Sequence, residues 1–246
     1  MSATTTVLRT EARLFRREPA VIFWLIAFPT VLLVILGSIP AFRVAHAELG
    51  GRRIVDLYVP VVVLLSVIMA GAQTMPGVLT GYRERGILRR MSTTPASPRH
   101  LLTVQIVLHS AAVLVSVLLA LAVGRIAFDV ALPEQAAGYV LALVVTVFAG
   151  LALGATISAL SRTAKIAQAV GTIVFFPLMF TAGVYAPVPV MPSVLRQIVG
   201  LTPIGAASQA LDQASVGHWP DWSHLGVTGL WAVVLVGVAV RWFRWE

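Results

Sequence analysis

Six apolar runs of about twenty residues constrain this chain more than any other feature. They fall at 21–39, 59–80, 101–124, 137–160, 166–186 and 225–242, separated by charged or proline-rich segments. Coiled into a helix at about 1.5 Å per residue, each run crosses ~30 Å of hydrocarbon. A helix satisfies its own backbone hydrogen bonds in lipid, and the alternating ~10-residue segments of a transmembrane barrel are absent. With 58% hydrophobic and 11% charged residues, the chain also has too few charges for a soluble surface, where about 25% is usual. The expected fold is therefore an all-α polytopic membrane protein with six transmembrane helices, forming one domain over residues 1–246.

The charges orient the spans. Segments 1–20, 81–100, 161–165 and 240–246 hold thirteen of the eighteen Arg and Lys residues, against five in 40–58, 125–136 and 187–224. Cations accumulate on the cytoplasmic side, which places both termini inside the cell. The formal charge of +8 is thus loop punctuation and not a nucleic-acid footprint, which would gather on one face. Trp219 and Trp222 before the last run, with Trp242 at its end and Trp245 beyond, fit the two interfacial belts. A cleaved signal peptide competes for the first run, with Ala45-His46-Ala47 as its site, but that run is longer than the 7–15 residues or so of a signal core. Seventeen arginines to one lysine hint at GC-rich coding and a bacterial cytoplasmic membrane. The chain has no cysteine, so a disulfide framework, a thiolate metal site and a catalytic thiol are all excluded.

Residues 4–18 read as an amphipathic N-terminal helix lying in the cytoplasmic interface. Val7, Leu8, Ala12, Leu14 and Phe15 share one face and Arg9, Arg13, Arg16 and Arg17 the other. A simple topogenic flank for the first span reads equally well. Between spans 2 and 3 lies a basic island, Arg83-Glu84-Arg85-Gly86-Ile87-Leu88-Arg89-Arg90-Met91, followed by Ser92-Thr93-Thr94-Pro95. Ile87, Leu88 and Met91 form an apolar face on a short helix. Glu84 stands near its start, Arg89 and Arg90 lie towards its end, and Pro95 and Pro98 stop it. By itself this pattern serves either a solvated topogenic loop or a docking element.

The island resembles the charged-Gly-x-Leu-x-Arg-x-x-x-x-Thr-Pro segment after span 2 of ABC-2 type transport permeases. A second likeness lies in span 5, from Gly171 through Phe175-Phe176-Pro177-Leu178-Met179-Phe180 to Gly183 and Pro187, with Met191-Pro192 and Leu201-Thr202-Pro203 beyond. Thr202 stands where many members carry Asn, and Met91-Ser92 replaces a bulkier pair. The resemblance implies that the island is a cytoplasmic coupling helix seated in a cleft of an ABC-type ATPase subunit. Its contact residues would be Arg83, Glu84, Arg85, Gly86, Ile87, Leu88, Arg89, Arg90, Met91, Thr94 and Pro95. It further implies a second permease copy, identical or related, and two ATPase subunits. The chain carries no G-x-x-x-x-G-K-[ST] phosphate cradle, so it binds no cofactor, and ATP and Mg²⁺ belong to the partner.

Residues 187–224 are too broken by Pro187, Pro189, Pro192 and Pro203 to span, yet 193–200 and 204–216 keep an apolar helical spacing. The resemblance implies short re-entrant helices between spans 5 and 6 that form an outer gate; an ordinary external cap is the alternative. On span 2, Ser66, Ala70, Gln73, Gly77 and Thr80 recur at helical spacing, as Gln168, Thr172, Phe175 and Met179 do on span 5. Such faces avoid lipid, either as packing seams or as a solute pathway in which Gln73, Thr172, Phe175, Phe176 and Met179 meet an apolar solute. His109 in span 3 is expected to make an interhelical hydrogen bond, and Gly150, Gly154 and Ser158 a packing seam. The functional expectation is the permease subunit of an ATP-driven exporter moving a lipophilic drug, antibiotic or lipid-like solute; it is a transporter and not an enzyme. Alternatives are a glycan exporter of the same family and an ion-coupled secondary transporter. The latter would want acidic residues near the bilayer midplane, where this chain has none.

Overall fold

The computed structural model describes residues 3–91 and 98–242. Ten α-helical segments account for its architecture. They are α1 (Ala3–Arg16), α2 (Pro19–Gly37), α3 (Ile54–Glu84), α4 (Ile87–Met91), α5 (Pro98–Phe128), α6 (Ala136–Leu160), α7 (Ala164–Ala182), α8 (Ser193–Gly200), α9 (Pro203–Ser215) and α10 (Trp222–Trp242). Six of them, α2, α3, α5, α6, α7 and α10, are long and apolar enough to cross a membrane, within a few residues of the runs read from the sequence. Among the described residues the only β feature is a single bridge between Ala45 and Arg53.

The second span begins earlier and ends later than its apolar run, as a 31-residue helix. Its extra first turn is stabilised by Asp56, whose carboxylate accepts the Arg53 backbone N–H at 2.9 Å. In its most apolar stretch α3 is 89% buried, whereas α7 is 11% buried. The central helix is therefore α3, and α7 is the most open span. Around α3, Val63, Leu64, Val67 and Ile68 pack with Val113 and Val117 of α5 and Leu151 of α6.

Two spans widen into π-helical turns, Phe23–Ala27 in α2 and Met69–Thr74 in α3. Each turn is followed within two residues by a proline, Pro29 and Pro76. A helical proline lacks an N–H and collides with the carbonyl four residues back, and a wide turn relieves both. The second turn also brings α3 onto α6. A Cβ on Gly71 would sit 2.1 Å from the Gly150 carbonyl oxygen, and one on Gly154 would sit 2.6 Å from that of Gly71. The small-residue seam expected on span 4 is filled by α3, by the Gly71 backbone at Gly154 and by the Val67 side chain at Gly150.

Both ends of α3 hold neighbouring helices through arginine. At one end the Arg53 guanidinium donates to the Phe128 and Asp129 carbonyls at 2.9 and 3.1 Å, satisfying the last carbonyls of α5. At the other, Arg83 donates to the Ser158 carbonyl at 3.1 Å and to that of Ser161, at the end of α6. Of the two short helices before α10, α9 is enclosed by α3, α6, α7 and α10 and buries Ile204, Ala207 and Leu211. By contrast α8 leaves Val194 and Ile198 exposed.

Candidate functional site

A cleft of about 630 Å³ opens between α1, α2, α3 and α7. Both π turns border it: Trp24 comes from the first, and Met69, Gln73 and Thr74 come from the second. From α7 the cleft receives Gln168, Thr172, Phe175 and Phe176. Gln168 Nε2 donates to Gln73 Oε1 at 2.9 Å across the two helices, and Thr172 Oγ1 donates to the Gln168 carbonyl at 2.9 Å. The Phe175 and Phe176 rings meet edge to face at 5.8 Å, and Phe176 is 55% exposed. Four of the five residues expected on the pathway, Gln73, Thr172, Phe175 and Phe176, thus share one cavity.

Met179 does not join them. One turn beyond Phe175 the same side of α7 turns onto the body of the bundle, where Met179 packs half-buried against the core. On α3, Ser66 and Thr80 are buried as well. Ser66 hydrogen-bonds Ser116 of α5 at 2.8 Å, so the polar stripe of span 2 divides into a packing contact and a cleft wall.

At the inner end of the cleft lies a buried carboxylate that the sequence reading passed over. Glu11 of α1 is 8% exposed. Its Oε2 accepts from Tyr82 Oη of α3 at 2.8 Å and from Gln105 Nε2 of α5 at 2.6 Å. Burial raises the Glu11 pKa above the usual carboxylate range, and the two hydrogen bonds oppose that shift. The signal was present in the sequence: Glu11 stands in register with Val7, Leu8 and Phe15 on the apolar face of α1. Next to it, His109 makes its one hydrogen bond through Nδ1 to the Gln105 carbonyl of its own helix at 2.9 Å, and its ring meets Phe15 edge to face at 5.7 Å. The expected interhelical bond is not formed: Nδ1 is taken by the i−4 carbonyl, and Nε2 is buried without a partner among the described residues.

The basic island departs from a single helix. Gly86 takes φ +65°, a left-handed conformation open to glycine at little cost, and it separates α3 from α4. Glu84 therefore closes α3 instead of opening a helix, so it does not sit at the positive end of a macrodipole. Leu88 is buried within this chain, and Ile87 and Met91 line a groove of about 170 Å³ with Val7 and Thr10 of α1 and Leu101 of α5. Of the expected apolar docking face, Leu88 is thus buried, while Ile87 and Met91 stay half-buried beside a groove shared with α1 and α5. Glu84, Arg85, Arg89 and Arg90 are exposed, and Arg83 is engaged at the end of α6. Thr94 and Pro95 lie outside the described residues. Among the described residues no group of His, Cys, Asp and Glu is disposed to hold a metal ion.

The sequence model of the family described as ABC-2 type transporter matches residues 2–214 of the chain. No curated protein matches it.

Proposed function

The chain belongs to the ABC-2 type transporter family and is a multi-pass membrane transport subunit; from that premise we propose what it carries and what drives it. The proposed cargo is a lipophilic drug, antibiotic or lipid-like solute, moved out across a bacterial cytoplasmic membrane. The energy comes from a separate ABC-type ATPase that binds ATP and Mg²⁺. The complex contains a second copy of the permease, and α4 with the exposed charges around it is the element the ATPase grips.

The observation that carries this reading is the polar strip where α7, the least buried span, meets α3: Gln168 and Thr172 on α7 and Gln73 on α3. A span that faced lipid on that side would leave two glutamines and a threonine hydroxyl in hydrocarbon, which is costly. Opposed by a second copy around a hydrated cleft, the same strip is satisfied. The cleft volume of about 630 Å³ falls within the ~300–1,000 Å³ usual for small-molecule sites, and a long glycan would need a continuous channel. Phe175, Phe176 and Trp24 supply the apolar surface such a solute buries.

Co-purification tests the proposal. Extracted in mild detergent, the chain is expected to bring down a second permease copy and an ATPase with a phosphate-binding loop, whose hydrolysis a lipophilic solute stimulates. Robust transport by the chain alone in sealed vesicles, without that ATPase, would overturn it.

A further inference from the structure

The cleft carries a feature that a purely apolar solute does not explain. Glu11 is buried, and among the described residues it makes no ion pair. Tyr82 and Gln105 both donate to its Oε2, which fixes the carboxylate plane. Among the described residues its Oε1 accepts no hydrogen bond, and Glu11 lines both the cleft and the smaller groove beside α4. One oxygen takes both donors while the other takes none. A buried carboxylate without a counter-charge is costly, and a cation that enters the cavity relieves that cost.

We infer that Glu11 is a specificity-determining residue of this cleft and selects a solute bearing a protonated amine on an apolar body. The inference rests on the reading of the cleft as the solute pathway. The surroundings fit an organic ammonium. Phe15, Trp24, Phe175 and Phe176 line the same cavity, and aromatic faces accept both alkyl surface and positive charge. A metal ion would require a ligand cluster, which the described residues lack.

Among the described residues the cleft wall carries one cation, Arg85, and it is already engaged elsewhere. The Arg85 guanidinium lies over the Tyr82 ring at 5.4 Å, and its Nε donates to the Gly81 carbonyl at 3.0 Å. A second carboxylate, the exposed Glu18, stands on the same wall. The cleft therefore disfavours phosphorylated or carboxylated solutes, including anionic lipids and phosphate-linked glycans.

The test uses the purified full-length chain and two fluorescent probes of one shape. Dansylcadaverine carries a primary ammonium, and its N-acetyl derivative is neutral. Wild type is expected to bind the ammonium probe the tighter, and Glu11→Gln to weaken that binding by roughly ten- to a hundredfold, the range of a lost charge-assisted hydrogen bond. The neutral probe should bind both proteins alike. Equal binding of the two probes by wild type overturns the inference without recourse to any variant, as does an unchanged ratio in Glu11→Gln. Failure of both probes to bind wild type would instead overturn the reading of the cleft as a pathway. Glu11→Asp, which keeps the charge but shortens the reach, should retain part of the preference for the ammonium; loss of that preference as complete as in Glu11→Gln would count against it.

Discussion

Arg52 and Asp212 close on one another across 160 residues of chain: Arg52 Nη1 donates to Asp212 Oδ2 at 3.2 Å, and Nη2 donates to Oδ1. The pair straps the segment before α3 to the enclosed helix α9. Both side chains are only partly exposed, at 26% and 20%. A bidentate pair in that setting contributes about 1 kcal/mol beyond its separate parts. Arg52→Ala, Asp212→Asn and the double variant, compared by thermal unfolding in detergent, should show an interaction energy of that order. Strictly additive effects would mean the strap is only a surface contact.

Close backbone contact predicts where alanine is not tolerated. A Cβ at Gly171 would meet the Ala72 carbonyl oxygen at 2.0 Å, and one at Gly71 would meet that of Gly150 at 2.1 Å. Backbone cannot give way as a flexible side chain does, so Gly71→Ala and Gly171→Ala should each cost about 1–3 kcal/mol or abolish the folded peak in size exclusion. On α10, Gly229 and Gly237 have nothing within 4 Å of an added Cβ. Their alanine variants should stay within about 1 kcal/mol of wild type.

The spans were legible because lipid asks for one thing, a long apolar run, and six such runs stand in the sequence. Pro29 and Pro76 also pointed, in retrospect, to the widened turns behind them. The site was legible only in part. Helical spacing grouped Gln168, Thr172, Phe175 and Met179, but spacing does not tell where along a helix a cavity ends and the core begins. Glu11 was lost among the charges of α1, because a carboxylate buried by α3 and α5 looks in sequence like one in water. The island reads in sequence as one helix because Gly86 can continue a helix or end it, and only the fold shows that its left-handed φ of +65° ends α3 there.

The absence of cysteine makes topology directly measurable. Single cysteines at Arg90 and Arg162, both exposed, should react with an impermeant maleimide only after the membrane is opened. A cysteine at Leu132, exposed between α5 and α6, should react in intact cells. Any exchange between these two patterns would reverse the orientation drawn from the arginines.

At the island, burial and charge make separable predictions. Leu88→Ala removes a side chain buried within the chain and should lower thermal stability by about 2–3 kcal/mol. Arg89→Glu combined with Arg90→Glu alters an exposed face. It also removes the Arg90 Nη2 donation to the Arg85 carbonyl at 3.0 Å, so it should cost no more than about 1 kcal/mol in unfolding while releasing the ATPase during purification. If the reversal keeps the ATPase bound, α4 is not the element it grips.

Glu11 gives the fold a pH dependence of predictable sign. Its folded-state pKa is raised by burial, above the ordinary glutamate value of about 4.3. Between those two values the native state holds a proton that the unfolded chain has already lost. Stability therefore falls as pH rises through that window and stays lower above it. Tyr82, His109, Arg85 and Glu18 also lie around α1 and the cleft, so wild type alone would report a mixture. Glu11→Gln removes one titration and keeps the rest, and the difference between the two unfolding curves isolates it. That difference should favour wild type most at acid pH and decline as pH rises towards neutrality. A difference that grows with pH would mean that Glu11 is held ionised by a cation, and the carboxylate could not then be waiting for a solute's charge.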